Sequence, residues 1–288
     1  MKRTLWFLTP LSVLMWIPVF LIGVFSLQQD GVSKQVVLSA SNPVPVVTTI
    51  LELTTNTVRV FDIESGAVIY SNNDTLVMPM ASVAKIFAGA ALVSEANLQA
   101  TTTINWSDVA AEGEAGKLRY NDEYTYQELL FPLLLESSND AAATLDRATV
   151  GTMLAHMNAL SKEVGATSTV FTDPSGLGDD TVSTVHDLQL LLTHIYEEQP
   201  HIFDITLLPK YIGFNSGWVN NNPFVHEDGY RGGKHGFTNE AGRTAVAIFN
   251  EEVLGETMTI GYIILGSKNL KEDMAKLRAS VKDSATEN

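Results

Sequence analysis

Pro79-Met80-Ala81-Ser82-Val83-Ala84-Lys85-Ile86 opens an apolar run that continues to Glu95. The run reads as a helix with Ile86, Ala90 and Val93 on its inward face. Ser82 and Lys85 stand three residues apart, so one helical turn carries both on the same face. A hydroxyl is a weak nucleophile until a neighbouring base takes its proton, and an amine one turn away can do so. To act as that base, Lys85 must be neutral part of the time, which requires burial or nearby cations. Ser82 also falls near a helix start, where free N–H groups and the dipole favour developing negative charge. A helix-capping serine is the plainer alternative for this position alone. Two further triplets raise the stakes: Ser137-Ser138-Asn139, running straight into a helix, and Lys234-His235-Gly236, on an expected edge strand. Lys234 offers the second cation, and Gly236 leaves room for a substrate backbone to lie along the strand.

Working outward, Val58–Asp62 and Ala67–Tyr70 flank Glu64-Ser65-Gly66 and read as a β-hairpin. Helical runs follow at Tyr126–Leu135, entered through Thr125, and at Asp140–Thr149, Thr152–Val164 and Thr184–Glu198. Thr244–Phe249 and Met258–Leu265 are apolar and strand-like, with Glu251–Glu256 read as the turn between them. A last amphipathic helix covers Leu270–Val281. Strands, then helices, then strands imply an α+β fold. In it, one antiparallel sheet is built from both ends of the domain, a helical lobe is inserted, and the active site lies where they meet.

Leu5 to Leu27 are 23 positions without a charge, preceded by Lys2 and Arg3. That is long for a signal-peptide core and sufficient to span a bilayer, with the amino terminus on the cytoplasmic side. The expected organisation is an anchor or signal sequence at 1–27, a linker at 28–45, a catalytic domain at 46–270 and a C-terminal helix and tail at 271–288. The anchor reading makes a single-pass membrane protein with its domain outside the cytoplasm, whereas cleavage would make it secreted. With no cysteine, thiolate metal sites, disulfides and a cysteine nucleophile are excluded. A net charge of −15 argues against nucleic acid as a partner. None of the six histidines falls in a metal-binding spacing, so no metal and no cofactor is expected. Glu240 and Asp173 read as loop and turn structure.

From about residue 45 to 270 the chain resembles the D-alanyl-D-alanine carboxypeptidases. These are low-molecular-weight penicillin-binding proteins that share the β-lactamase/transpeptidase-like fold. The resemblance rests on the stretch around Ser82, on Glu136-Ser137-Ser138-Asn139-Asp140-Ala141-Ala142, and on Phe171-Thr172-Asp173-Pro174-Ser175-Gly176-Leu177 with Ser183–Leu188. It is completed by Gly233-Lys234-His235-Gly236-Phe237-Thr238-Asn239-Glu240-Ala241-Gly242. It implies a bacterial enzyme acting on peptidoglycan stem peptides, with Ser82 as nucleophile, Lys85 as base, and Ser137 relaying protons between Lys85, Lys234 and the leaving amine. Asn139 would bind the substrate amide backbone, and the N–H groups of Ser82 and Phe237 would form the oxyanion hole. β-Lactam antibiotics would be covalent inhibitors. His235 departs from the family's usual threonine or serine, whose hydroxyl contacts the terminal carboxylate. It either takes over that contact, as donor or imidazolium, or is structural and faces away. Carboxypeptidase and endopeptidase remain open, as do a serine β-lactamase and a catalytically silent peptidoglycan-binding domain.

Overall fold

In the hairpin, Asp62 Oδ1 accepts from the backbone N–H and hydroxyl of Ser65 at 2.7 and 2.5 Å, which closes the turn before Gly66. The hairpin joins strands β1 (Thr57–Asp62) and β2 (Val68–Asn72). The computed structural model describes residues 44–47, 51–55, 57–109, 116–213, 216–253 and 255–283. Contacts divide the chain into Met1–Asn42 and Pro43–Asn288. The whole first unit, including the segment expected to be an anchor, lies outside the described residues, as does the tether up to residue 43.

Every residue of β1 is buried, which is the pattern of an inner strand covered on both faces. Its partners are β2 on one side and, on the other, a strand from the far end of the chain. Strands β3 (Tyr230–Thr238), β4 (Gly242–Val253) and β5 (Glu256–Ser267) complete an antiparallel five-stranded sheet of order β2-β1-β5-β4-β3. Both ends of the domain thus contribute to one sheet, as the element order implies. The expected turn at Glu251–Glu256 is corrected. The strand runs on to Val253 because Glu251, 1 % exposed, is paired with Arg278 and Lys282 from the C-terminal helix.

That helix, α7 (Leu270–Asp283), lays Leu270, Met274, Leu277 and Val281 on one sheet face against Val60, Phe249, Tyr262 and Ile264. The opposite face, with Phe61, Val246, Ile248 and Ile263, packs on the helical lobe. In the lobe, α1 (Ala84–Glu95) is buried all round from Ala84 to Leu92, so it is the central helix rather than one with a single inward face. Around it stand α2 (Tyr126–Phe131), α3 (Asn139–Ala148), α4 (Thr152–Glu163) and α5 (Val185–Glu198). The short α6 (His201–Leu207) follows Pro200 and escaped the sequence reading. No helix among the described residues is long and apolar enough to cross a membrane.

Candidate active site

Ser82 does not start the long helix. It sits in a separate 3-10 turn, Ala81–Val83, that leads into α1. Ala81 takes φ 48, a conformation costing a non-glycine residue about 1–2 kcal/mol, so the surroundings must hold the turn in place. They do so from three sides. The Thr244 hydroxyl on β4 donates to Met80 O at 2.9 Å, and Met80 N–H donates to Thr181 O at 3.1 Å. On β3, Gly236 lies so close that an added Cβ would be 2.5 Å from Ser82 N. The glycine is therefore required by the nucleophile turn itself, in addition to the open strand edge expected from the sequence.

Lys85, in the first turn of α1, is fully buried and directs its amine at three oxygens. Lys85 Nζ is 2.9 Å from Ser82 Oγ, 2.7 Å from Asn139 Oδ1 and 2.7 Å from Ser175 O. An ammonium has three donors, so these partners satisfy it. Ser137 is consequently not a direct partner of Lys85 in this state.

The second triplet owes its shape to a helix that ends badly. After α2, Pro132–Glu136 forms a π-helical turn, and Ser137 then adopts the left-handed conformation at φ 64, ψ 35. Ser138 caps α3, its hydroxyl accepting from Ala141 N–H at 3.0 Å. The capping and cleft-wall readings therefore both hold, on adjacent residues. Ser138 does the capping, Asn139 faces Lys85, and half-buried Ser137 lies at the bend between the π-helical turn and α3.

The third triplet is on the edge strand β3, as expected. Lys234 is 1 % exposed and its Nζ donates to His235 O at 2.6 Å. His235 is half-buried, opposite Ala245, with its Nδ1 buried and unpartnered. Phe237 is exposed, and the Arg243 guanidinium from the paired strand lies 5.3 Å from its ring centroid.

A profile of D-alanyl-D-alanine carboxypeptidases matches residues 42–268. The chain belongs to that family. It is 34 % identical over 197 residues to the D-alanyl-D-alanine carboxypeptidase DacB2 of Mycobacterium tuberculosis, covering 65 % of this chain and 67 % of the relative. It is 30 % identical over 210 residues to a D-alanyl-D-alanine endopeptidase of Escherichia coli, covering 68 % and 67 %. A crystal structure of D-alanyl-D-alanine carboxypeptidase from Mycobacterium tuberculosis H37Rv superposes with a TM-score of 0.74 at 28 % identity, covering 83 % of this chain and 95 % of that one. The fold is accordingly that of the penicillin-binding DD-peptidases, and the chain is a serine hydrolase of the D-alanyl-D-alanine carboxypeptidase family.

The electrostatics of this family member are set by two buried lysines. Burial lowers the Lys85 amine to about 7, against a smaller opposing pull from the Asp173 carboxylate. Lys234 is lowered well below its ordinary value by burial and then by the charge of Lys85. His235 is lowered to about 3 by burial, by Lys234 and by Arg243. Of the readings open for His235, this shift speaks against the imidazolium and leaves the neutral donor and the structural histidine. Among these cations the ring is neutral at working pH and has only one N–H to donate.

Sequence reasoning missed the contacts of the Phe171–Leu177 motif. Asp173 gathers a turn whose Ser175 carbonyl touches Lys85. Asp-Pro-Ser-Gly is a turn signature that announces the bend, but not which carbonyl the bend delivers. Arg243 and Thr244 carried no sequence signal, because strand pairing alone brings them to the site. Among the described residues no group of three or more histidine, cysteine or acidic side chains is placed to hold a metal ion.

Proposed function

We propose that the protein cleaves the D-alanyl-D-alanine end of peptidoglycan stem peptides through an acyl-enzyme on Ser82. The observation carrying this reading is the 2.9 Å contact between Ser82 Oγ and a buried Lys85 amine that titrates at about 7. An amine with that value is neutral in a large fraction of molecules near neutral pH and can take the serine proton. Ser82 Oγ then attacks the carbonyl of the penultimate D-alanine. The oxyanion is received by the N–H groups of Ser82 and Phe237, a type of contact worth roughly 10²–10³ in rate. Ser137 relays the proton that Lys85 took from Ser82 to the departing amine of the last residue, and water releases the acyl group from Ser82. Asn139 and the open edge of β3 hold the peptide backbone.

His235, being neutral, meets the terminal carboxylate as a single hydrogen-bond donor, while Arg243 supplies the positive charge at that edge. A β-lactam presents the same reactive carbonyl and acylates Ser82 in the same way. The uncharged stretch from Leu5 to Leu27, with Lys2 and Arg3 before it, tethers the enzyme to a bacterial membrane with its site outside the cytoplasm.

The test is labelling of the purified protein with a fluorescent penicillin, followed by intact mass, with Ser82→Ala alongside. A lasting adduct absent from the variant is the expected result. A short-lived adduct with rapid drug turnover favours a β-lactamase. A folded protein with no adduct favours a silent binding domain. Assaying a D-alanyl-D-alanine peptide against a cross-linked muropeptide then separates carboxypeptidase from endopeptidase.

A further inference from the structure

Asp173 carries more hydrogen bonds than a turn requires. Its Oδ1 accepts from the backbone N–H of Ser175 at 2.8 Å, the Ser175 hydroxyl at 2.5 Å, and the N–H groups of Gly176 and Leu177 at 2.7 and 3.3 Å. Its Oδ2 accepts from Gly178 N–H at 3.1 Å and the Thr181 hydroxyl at 3.0 Å. The turn so gathered is wedged against the nucleophile. A Cβ on Gly176 would lie 1.9 Å from Ala81 O, the carbonyl just before Ser82. From that position Ser175 O accepts the Lys85 amine at 2.7 Å.

Building on the serine-peptidase reading of Ser82 and Lys85, we propose that Asp173 is a positioning residue for acylation. Its carboxylate fixes the 173–178 turn so that the Ser175 carbonyl holds the Lys85 amine against the Ser82 hydroxyl. The charge has a second consequence. Two titratable side chains face this amine: Asp173 from the turn, whose charge raises it, and Lys234 from β3, which is itself lowered by the Lys85 charge. From α3 comes the neutral Asn139 and, behind Asp173, Asp146, whose carboxyl is pushed up by burial and by the Asp173 charge. Burial alone would also raise Asp173, but the bonds from Ser175, Gly178 and Thr181 outweigh it and hold the carboxyl below its usual range. Asp173 is thus a fixed negative charge at every working pH. It keeps the Lys85 titration from falling further and places it where a base is useful near neutrality.

The experiment measures the second-order rate of fluorescent-penicillin acylation for the full chain between pH 5 and 9. Wild type is compared with Asp173→Asn, Asp173→Ala and Thr181→Val, each checked for folding by circular dichroism. The asparagine retains an oxygen for the four Oδ1 bonds and removes the charge, while its amide nitrogen gives up the two bonds that Oδ2 accepted from Gly178 N–H and the Thr181 hydroxyl. Losing a negative charge lowers an amine, so the acid limb moves to lower pH by roughly one unit, and the plateau falls less than in the alanine variant, which gives up all six bonds. The alanine releases the turn and lowers the plateau by about 10²-fold, the cost of a misplaced catalytic group. Thr181→Val removes the hydroxyl that donates to Asp173 Oδ2 and accepts from the N–H groups of Thr172 and Asp173, without touching the charge, and so lowers the plateau without moving the limb. An unmoved limb in Asp173→Asn, or a wild-type plateau in folded Asp173→Ala, overturns the proposal. If Ser82→Ala still labels, the underlying peptidase reading has failed instead.

Discussion

Replacing Lys85 with methionine should destroy acylation and yet stabilise the protein at neutral pH. The side chain is fully buried, and its amine titrates at about 7 where an exposed lysine titrates at 10.5. At ~1.4 kcal/mol for each tenfold difference, that mismatch costs the fold on the order of 5 kcal/mol at pH 7 and below. Methionine removes the cost and loses three hydrogen bonds, worth about 1 kcal/mol each. Their acceptors on Ser82, Asn139 and Ser175 are only half-buried, so cleft water can replace the amine. The net expectation is a variant roughly 2 kcal/mol more stable at pH 7. Lys234 adds to the gain, because part of its own depression comes from the Lys85 charge.

The sign of the pH dependence makes the test sharp. Between about 7 and 10.5 the wild-type amine is neutral when folded and protonated when unfolded, so unfolding takes up a proton. Wild-type stability therefore rises with pH across that window while the methionine variant gains nothing from this site. The variant's advantage shrinks through pH 8 and reverses at about pH 8.5 to 9. Urea unfolding of both proteins at pH 7, 8.5 and 10 measures the difference directly. A variant less stable than wild type at pH 7, or a difference that stays constant to pH 10, would refute the account of Lys85 as a buried, partly neutral base.

Three other substitutions probe the rest of the molecule. Gly236→Ala puts a methyl 2.5 Å from Ser82 N and must drive the edge strand off the nucleophile turn. Acylation should fall by about 10²-fold or more, as when an oxyanion donor is lost, with circular dichroism unchanged. His235, titrating at about 3, is uncharged from pH 5 upward. KM for a D-alanyl-D-alanine peptide should therefore follow the same course from pH 5 to 7.5 in wild type and His235→Thr; a severalfold rise confined to wild type would restore the imidazolium. Arg278→Ala strips the near-invisible Glu251 carboxylate of its 2.5 Å partner and leaves Lys282 at 3.0 Å. It should cost roughly 3 kcal/mol in urea unfolding with the penicillin-labelling rate within twofold of wild type, since the pair lies on the far face of the sheet.

The parts of the site legible in the sequence are those fixed by local spacing. Ser82 and Lys85 share a face because residues three apart come together both in a 3-10 turn and in the helix that follows it, and Ser138-Asn139 enter a helix because serine caps one. What was hidden depends on partners distant in the chain. Glu251–Glu256 reads as a turn when its charges stand alone. Its first three residues are strand because Arg278, 27 residues on from Glu251, pairs with that carboxylate from another element. The fully buried character of α1 could not be told from an amphipathic one, since alanines fit either reading and only the packing of α4 and the sheet closes its outer side. His235 shows the same limit more sharply. Its residue type suggests a switch near neutrality, but Lys234, Arg243 and burial together remove the charge.

The same six bonds that make Asp173 a good strut make it a poor base. A β-lactamase has to activate a water against its own acyl-enzyme, and for that a carboxylate needs a free lone pair and an affinity for protons near neutral pH. Asp173 is the acid whose charge reaches Lys85, and it has neither. Both oxygens are engaged by N–H and O–H donors, and those donors hold its carboxyl below the usual range. On the proposed mechanism deacylation falls to Lys85, acting on water as it acted on Ser82. That works for a peptide whose leaving amine has departed and opened the cleft. It works slowly for a β-lactam, because the opened ring stays tethered to the acyl group and occupies the space the water needs. On that mechanism one base serving both half-reactions is sufficient for a peptidase and would leave a β-lactam acyl-enzyme long-lived.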